Sequence, residues 1–316
     1  MSEQAQRRIF ISYARQDGEE FATQLRQRIE TEAPEISVWQ DRARMFGGVG
    51  WWKQITDAIE GSDYMVLVMT PAAMASEVVR KEWLYARQVG TCVFPVIGQR
   101  GLAFSAVPKW MSDSHFYNLD KEWATFLDYL RQPCTATSVA FMAPEATPTF
   151  AGRTRETEQL LALMLDADRQ NSQPNTIVLV GPGGYGKTEL AAQLCHRQDI
   201  QSAYDDGIFW VTLGENPDLL AALSKLYAAL TGTRPGFVDL EDAAIELAEK
   251  WGENDALLAI DDVWDAAHLL PFLRGGRRLT RLITTRSLSI ANRQPHSLPL
   301  EEMTAADALA IFLNRL

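Results

Sequence analysis

"NTIVLVGPGGYGKTELAAQL", residues 175–194, decides the fold. An apolar run, Ile177 to Val180, breaks at a glycine-rich turn, and Leu190 and Leu194 then recur at i, i+4 as the buried face of a helix. The turn itself, "GPGGYGKT", fits G-x-x-x-x-G-K-[ST] in the strand, loop, helix context that gives the pattern its specificity. Gly181, Gly183, Gly184 and Gly186 let consecutive backbone N–H groups turn inward around phosphate oxygens, and the helix N-terminus adds partial positive charge. Lys187 is placed to reach the β and γ phosphates, and Thr188 to hold magnesium. A glycine turn that binds nothing is the competing reading; strand, loop, helix and Lys-Thr together weigh against it.

Downstream, "ALLAIDDVW" is a buried strand with Asp261 and Asp262 at its C-terminal end, where parallel sheets place ligands. Asp261 is expected to orient magnesium and Asp262 to position an attacking water. Two acids after a strand are often only a helix cap, and the phosphate loop tips the reading toward function. "GIFWVTL" and "RLITTR" supply further strands, with helices at Leu219–Leu230 and Ala243–Trp251, and "FAGRTRETEQLLALML" supplies a helix ahead of the loop. This is one parallel α/β unit, over residues 149–300.

Upstream, strands and helices alternate a second time over residues 6–131. "RRIFISYARQD" gives a short strand, after which Asp17 is expected to begin a helix with Glu20 at the capping-box position. "ISVWQD" reads as a strand, "RARMFGGVG" as a glycine-rich loop, "YMVLVM" as a central strand apolar on both faces, and "TCVFPVI" as another strand. In "SEVVRKEW" the residues Val79, Trp83 and Ala86 form a helical stripe, and Glu82 lies on its flank. Position alone leaves Glu82 either half-desolvated at a cleft edge or in water beside Arg80 and Lys81. Between the two units, residues 132–148 carry Pro133, Pro144 and Pro148 and show no period, which marks an extended linker.

At 316 residues the chain is long enough for two domains with separate cores. Its formal net charge of -11 supplies no basic surface to follow a phosphate backbone, which weighs against nucleic acid as the main partner. Cys92, Cys134 and Cys195 lack metal-ligand spacing and are expected as free buried thiols in a reducing compartment; the histidines are dispersed, so neither zinc nor a Ser-His triad is indicated. No signal segment and no membrane-spanning apolar run occurs, so the expectation is a soluble, cytoplasmic protein.

The second unit resembles the NB-ARC branch of the STAND NTPases, the class of plant resistance proteins and apoptotic protease-activating factors. "FAGRTRE" is similar to the family's opening motif, "YDDGIFWVTL" to its Trp-bearing strand, "RLITTR" to its sensor strand, and "LPLEEMTAADALAIF" to the start of its helical subdomain, here residues 301–316. The resemblance implies a P-loop NTPase fold binding ATP or ADP with Mg2+, held by Thr188 and Asp261. It also implies Arg286 as a γ-phosphate sensor, with Gly152 and Arg153 near the base. That family continues into winged-helix and repeat-built regions, so the chain is expected to be a fragment whose trigger is sensed by a missing C-terminal region.

The first unit resembles the Toll/interleukin-1 receptor (TIR) family. "RIFISYARQD" is similar to its first strand, "VWQD" to its second, "RARMFGGVG" to its BB loop and "WWKQITDAI" to its Trp-x-x-x-Ile helix. Ser76 and Glu82 match the S-x-x-x-x-x-E arrangement of NAD-cleaving members, while Val78 and Val79 stand where plant relatives commonly carry Trp and Cys. The resemblance implies a flavodoxin-like fold, NAD+ as substrate and Glu82 as the catalytic carboxylate. Phe10, Ser12 and Tyr13 are candidate floor residues, and Trp51 or Trp83 candidate stacking rings. Core packing is the competing reading, and the preferred one for Trp51 and Tyr13.

Together the two resemblances imply an immune sensor-effector, similar to bacterial antiviral systems, that self-associates through its TIR and NB-ARC domains and thereby activates NAD+ cleavage. A non-catalytic TIR adaptor under an NB-ARC switch is the rival, and a plain ATPase the third reading.

Overall fold

The computed structural model describes residues 7–40, 50–99, 102, 107, 109–112, 114–136, 138–148, 150–166 and 175–303. The loop "RARMFGGVG" before Gly50 and the helical-subdomain start beyond residue 303 lie outside the described residues. Contacts divide the chain into two units at Val139/Ala140.

In the first unit the strands are β1 (Arg7–Ser12), β2 (Ile36–Gln40), β3 (Tyr64–Met69) and β4 (Cys92–Ile97). They form a parallel sheet in the order β2-β1-β3-β4. Helices α1 (Glu19–Glu32), α2 (Trp51–Glu60), α3 (Pro71–Ala75), α4 (Glu77–Val89), α5 (Lys109–Ser112) and α6 (Leu119–Arg131) complete it. Every residue of β3 is buried because a helical layer covers each face, which is why its sequence is apolar throughout rather than alternating. One core holds Ile9, Ile11, Leu25, Ile29 and Phe126; the other holds Phe10, Ile55, Ile59, Val79 and Trp83. The β1 strand lies where the chain direction across the sheet reverses, and in such sheets ligands bind beyond the strand ends at that point.

Local chemistry sets the segments that follow β3. Thr70 caps α3, its Oγ1 accepting from Ala73 N at 3.2 Å with Pro71 in the first turn. Ser76 caps α4, its Oγ accepting from Val79 N at 3.3 Å, and Gly90 ends that helix at φ 81°, a conformation that favours glycine.

The second unit has β5 (Thr176–Val180), β6 (Ile208–Gly214), β7 (Leu257–Val263), β8 (Thr280–Thr285) and β9 (His296–Pro299), parallel in the order β6-β7-β8-β5-β9. Its helices are α7 (Thr154–Met164), α8 (Lys187–Cys195), α9 (Gln198–Ala203), α10 (Leu219–Thr231), α11 (Leu240–Trp251), α12 (Ala266–Leu269) and α13 (Leu288–Ala291). The two α/β units stand as the alternation of apolar runs predicts.

Two local expectations are corrected. Asp17 does not cap α1, whose N-cap is Gly18 with no side-chain bond. The Asp17 carboxylate instead accepts from Thr70 Oγ1 at 2.5 Å and from Ala72 N at 2.9 Å, satisfying a free N–H in the first turn of α3. Cys92 and Cys134 are joined in a disulfide, with Cα atoms 5.8 Å apart; Cys195 alone is free and buried. Burial pushes the Cys195 thiol up to about 12. Backbone groups of the segment between the sheets find partners within each unit. Gln132 O accepts from Tyr64 Oη at 2.7 Å and Val139 N donates to Arg87 O at 2.9 Å. Further on, Met142 N donates to Ile208 O and Ile208 N to Ala140 O, each at 2.8 Å, covering the outer edge of β6. The segment "HSLP", His296–Pro299, forms β9 beside β5, a strand that its short apolar content did not announce.

Candidate functional site

Glu82 lies on the inner face of α4. It is 6 % exposed, and Ser12 Oγ at the end of β1 donates to its Oε2 at 2.5 Å. The two line a cleft of about 610 Å³ at the C-terminal edge of the first sheet, with Phe10, Tyr13, Arg15, Trp51, Ser76 and Val79. The question left open by periodicity is thereby answered: the helix turns Glu82 toward the strand ends, not toward water with Arg80 and Lys81.

Of the residues expected around this cleft, Phe10, Ser12, Tyr13, Trp51 and Ser76 all line it. Trp51 is 36 % exposed at its rim, whereas Tyr13 is half-buried and also packs against the core that holds Ile9 and Ile11. Trp83 is corrected: at 2 % exposure it packs in the core with Ile55 and Ile59 and does not line the cleft. The ties from Asp17 to Thr70 and Ala72 hold the β1–α1 and β3–α3 loops together beside the cleft. Sequence reasoning missed that role, and the acid's place one residue before the α1 cap concealed it.

In the second unit β5 runs into the phosphate loop and α8. A side chain on Gly181 would meet the Leu300 carbonyl at 2.7 Å, so only glycine lets β9 approach. Gly186 caps α8 at φ 81°, aiming the first N–H groups of the helix into the loop. Lys187 Nζ donates to the carbonyl oxygens of Gly181 and Pro182 at 2.9 Å each. Burial lowers its pKa, and the Arg286 charge nearby adds to the effect. Two cations thus share one loop, an arrangement that an anion relieves.

Asp261 accepts from Thr188 Oγ1 and Thr284 Oγ1, both at 2.7 Å on the same oxygen. Asp262 is held in the left-handed region at φ 54°, its N–H donating to Thr284 Oγ1 at 2.9 Å. Thr284 was not singled out from sequence, although a hydroxyl at the C-terminal end of a strand adjoining the acids is the signal that could have found it. Arg153, at φ 58°, donates from Nη1 to Glu156 at 2.7 Å and from Nη2 to Tyr185 O at 3.1 Å, bracing the loop; Gly152 before it is also left-handed at φ 78°. Arg286 reaches the loop as well, its guanidinium carbon 3.2 Å from where a Gly183 side chain would begin. Gly184 completes the turn at φ 80°.

Comparison with known proteins follows this division. A TIR domain family model matches residues 9–130 and an NB-ARC domain family model matches residues 155–314. The putative disease resistance RPP13-like protein 1 of Arabidopsis thaliana is 25 % identical over 173 residues, covering 52 % of this chain and 16 % of that protein. The regulatory protein AfsR of Streptomyces coelicolor is 26 % identical over 189 residues, covering 57 % of this chain and 19 % of its own. The chain therefore spans less than a fifth of the length of these curated relatives. The TIR domain of the Toll-related Receptor TRR-2 of Hydra magnipapillata superposes with a TM-score of 0.34 at 18 % identity, covering 39 % of this chain and 98 % of that one. With the family's motif residues gathered around a single phosphate loop, and a family model matched over half its length, the chain belongs to the NB-ARC family and carries a TIR domain ahead of its NB-ARC domain.

Proposed function

We propose that this chain is a STAND-type immune sensor-effector in which the NB-ARC unit is an adenine-nucleotide switch and the TIR unit cleaves NAD+ at Glu82. The observation that carries the reading is the Glu82 carboxylate, buried beside Ser12 in a cleft of about 610 Å³ at the sheet's C-terminal edge. A carboxylate turned into a helix's inner face is costly, and such groups concentrate at functional sites.

The chemistry asks for one such group. The bond between the ribose C1′ and the nicotinamide nitrogen breaks with its electron pair going to the nitrogen, neutralising the pyridinium, so no proton donor is needed for departure. Positive charge develops on the sugar, as in glycoside cleavage, and the Glu82 carboxylate stabilises it. Water then adds to C1′ and releases a proton, giving ADP-ribose; attack by an adenine nitrogen gives a cyclic product instead. Trp51 at the rim is placed to stack on a ring, and Phe10, Tyr13 and Ser76 to shape the cleft.

In the NB-ARC unit the carboxylate and hydroxyl oxygens of Asp261 and Thr188 are hard donors that suit Mg2+, and would hold it beside a bound ATP or ADP. Lys187 and the α8 N-terminus bind the phosphates, and Arg286 meets the terminal one. Self-association through both domains raises the local concentration of TIR units and links the switch to NAD+ cleavage. Incubating the purified chain with NAD+ and separately with ATP tests the assignment. The account expects nicotinamide from the first; phosphate release with no nicotinamide at any protein concentration would leave an ATPase or an adaptor.

A further inference from the structure

Trp264 has no packing role that explains it. It follows β7 with 44 % of its surface exposed and belongs to neither core cluster of its unit. Its ring face instead carries the Arg286 guanidinium, 4.8 Å from the ring centroid. The pairing is built into the sheet: Val263 of β7 lies opposite Thr285 of β8, and Thr285 Oγ1 donates to Val263 O at 2.6 Å. Trp264 and Arg286 are each the next residue, so they leave adjacent strands side by side, at the end where the phosphate loop lies.

We propose that Trp264 is a positioning residue for Arg286, holding the guanidinium over the phosphate loop and so setting how strongly the site favours a nucleoside triphosphate over a diphosphate. The inference rests on the reading of Arg286 as the group that meets the terminal phosphate. The long Arg286 side chain has rotamer freedom enough to swing away from the loop into water. The negative face of the indole opposes the swing, since a guanidinium is attracted to an aromatic quadrupole. With Arg286 held beside Gly183, a triphosphate meets a cation already in place. A diphosphate, lacking the outer phosphate, gains less from the arrangement.

The test is calorimetric titration of the full chain with Mg-ADP and with Mg-AMPPNP, a non-hydrolysable ATP analogue. Trp264→Leu keeps apolar bulk and removes the π face. It is expected to weaken AMPPNP binding about two- to fivefold, the range for an exposed cation–π contact, and to leave ADP binding unchanged. Trp264→Phe is expected to retain most of the preference, and Trp264→Leu in an Arg286→Ala background to alter it no further. An unchanged preference in Trp264→Leu, with Arg286→Ala losing it, would overturn the proposal while leaving the sensor reading intact. A loss shared equally by both nucleotides would place the indole on the nucleotide itself and also overturn it. If Arg286→Ala changes no preference, the sensor reading fails first and the proposal with it.

Discussion

Ser12 and Glu82 are 70 residues apart in the chain, and their side chains meet at 2.5 Å. A hydroxyl donating to a buried carboxylate fixes where the negative charge points, and removing it leaves that charge less well held. Ser12→Ala is therefore expected to lower kcat for nicotinamide release about tenfold or more, equivalent to roughly 1.5–3 kcal/mol for a hydrogen bond to a charged group. KM is expected to change little, and Ser12→Thr to recover most of the loss, in steady-state kinetics on NAD+. Helical periodicity had already placed Glu82 on the flank of the Val79, Trp83 and Ala86 stripe. Its burial was not legible, because that depends on β1 ending beneath α4, a contact between distant segments. The same gap explains Trp83, whose neighbouring position suggested a stacking ring while the ring packs in the core. In the second unit the phosphate-loop residues were legible because strand, loop and helix are contiguous; the hydroxyls that hold Asp261 and Asp262 come from other elements.

Among the elements, the strands that carry both sites follow from uninterrupted apolar runs, and the connecting segment does not. Prolines and the lack of a period in residues 132–148 say nothing about whether the backbone finds partners. Here it does, and Cys134 is bonded to Cys92 at the start of β4. A disulfide pairing has no local signature in a sequence, since each cysteine looks like a small buried hydrophobe. The bridge spans a sequence separation of 42 residues. A loop of that length corresponds to an upper estimate of about 4 kcal/mol from the chain entropy removed from the unfolded TIR unit. Cys134→Ser, or reduction of the parent, is thus expected to lower the urea midpoint of the TIR transition with little change in the NB-ARC transition. Coincident midpoints for oxidised and reduced protein would show that the bridge does not stabilise the unit.

At the scale of the whole molecule, two parallel sheets present their chemistry at C-terminal strand edges: Ser12 at the end of β1, and the phosphate loop, Asp261 and Arg286 at the ends of β5, β7 and β8. That common plan is why two strand-helix alternations and one glycine motif made the architecture readable, whereas the partners and the activating event are not written in either sheet. If assembly couples the units, only associated chains are competent, and specific activity depends on protein concentration. The most direct measurement is nicotinamide released from NAD+ by the full chain across a wide dilution series, with Glu82→Gln run alongside. The substitution keeps size and removes charge. The account predicts that parent activity per milligram rises with concentration, and that the folded Glu82→Gln protein is slower by about a hundredfold or more, the loss expected for a group stabilising transition-state charge. A well-folded Glu82→Gln chain that releases nicotinamide at the parent rate would contradict it.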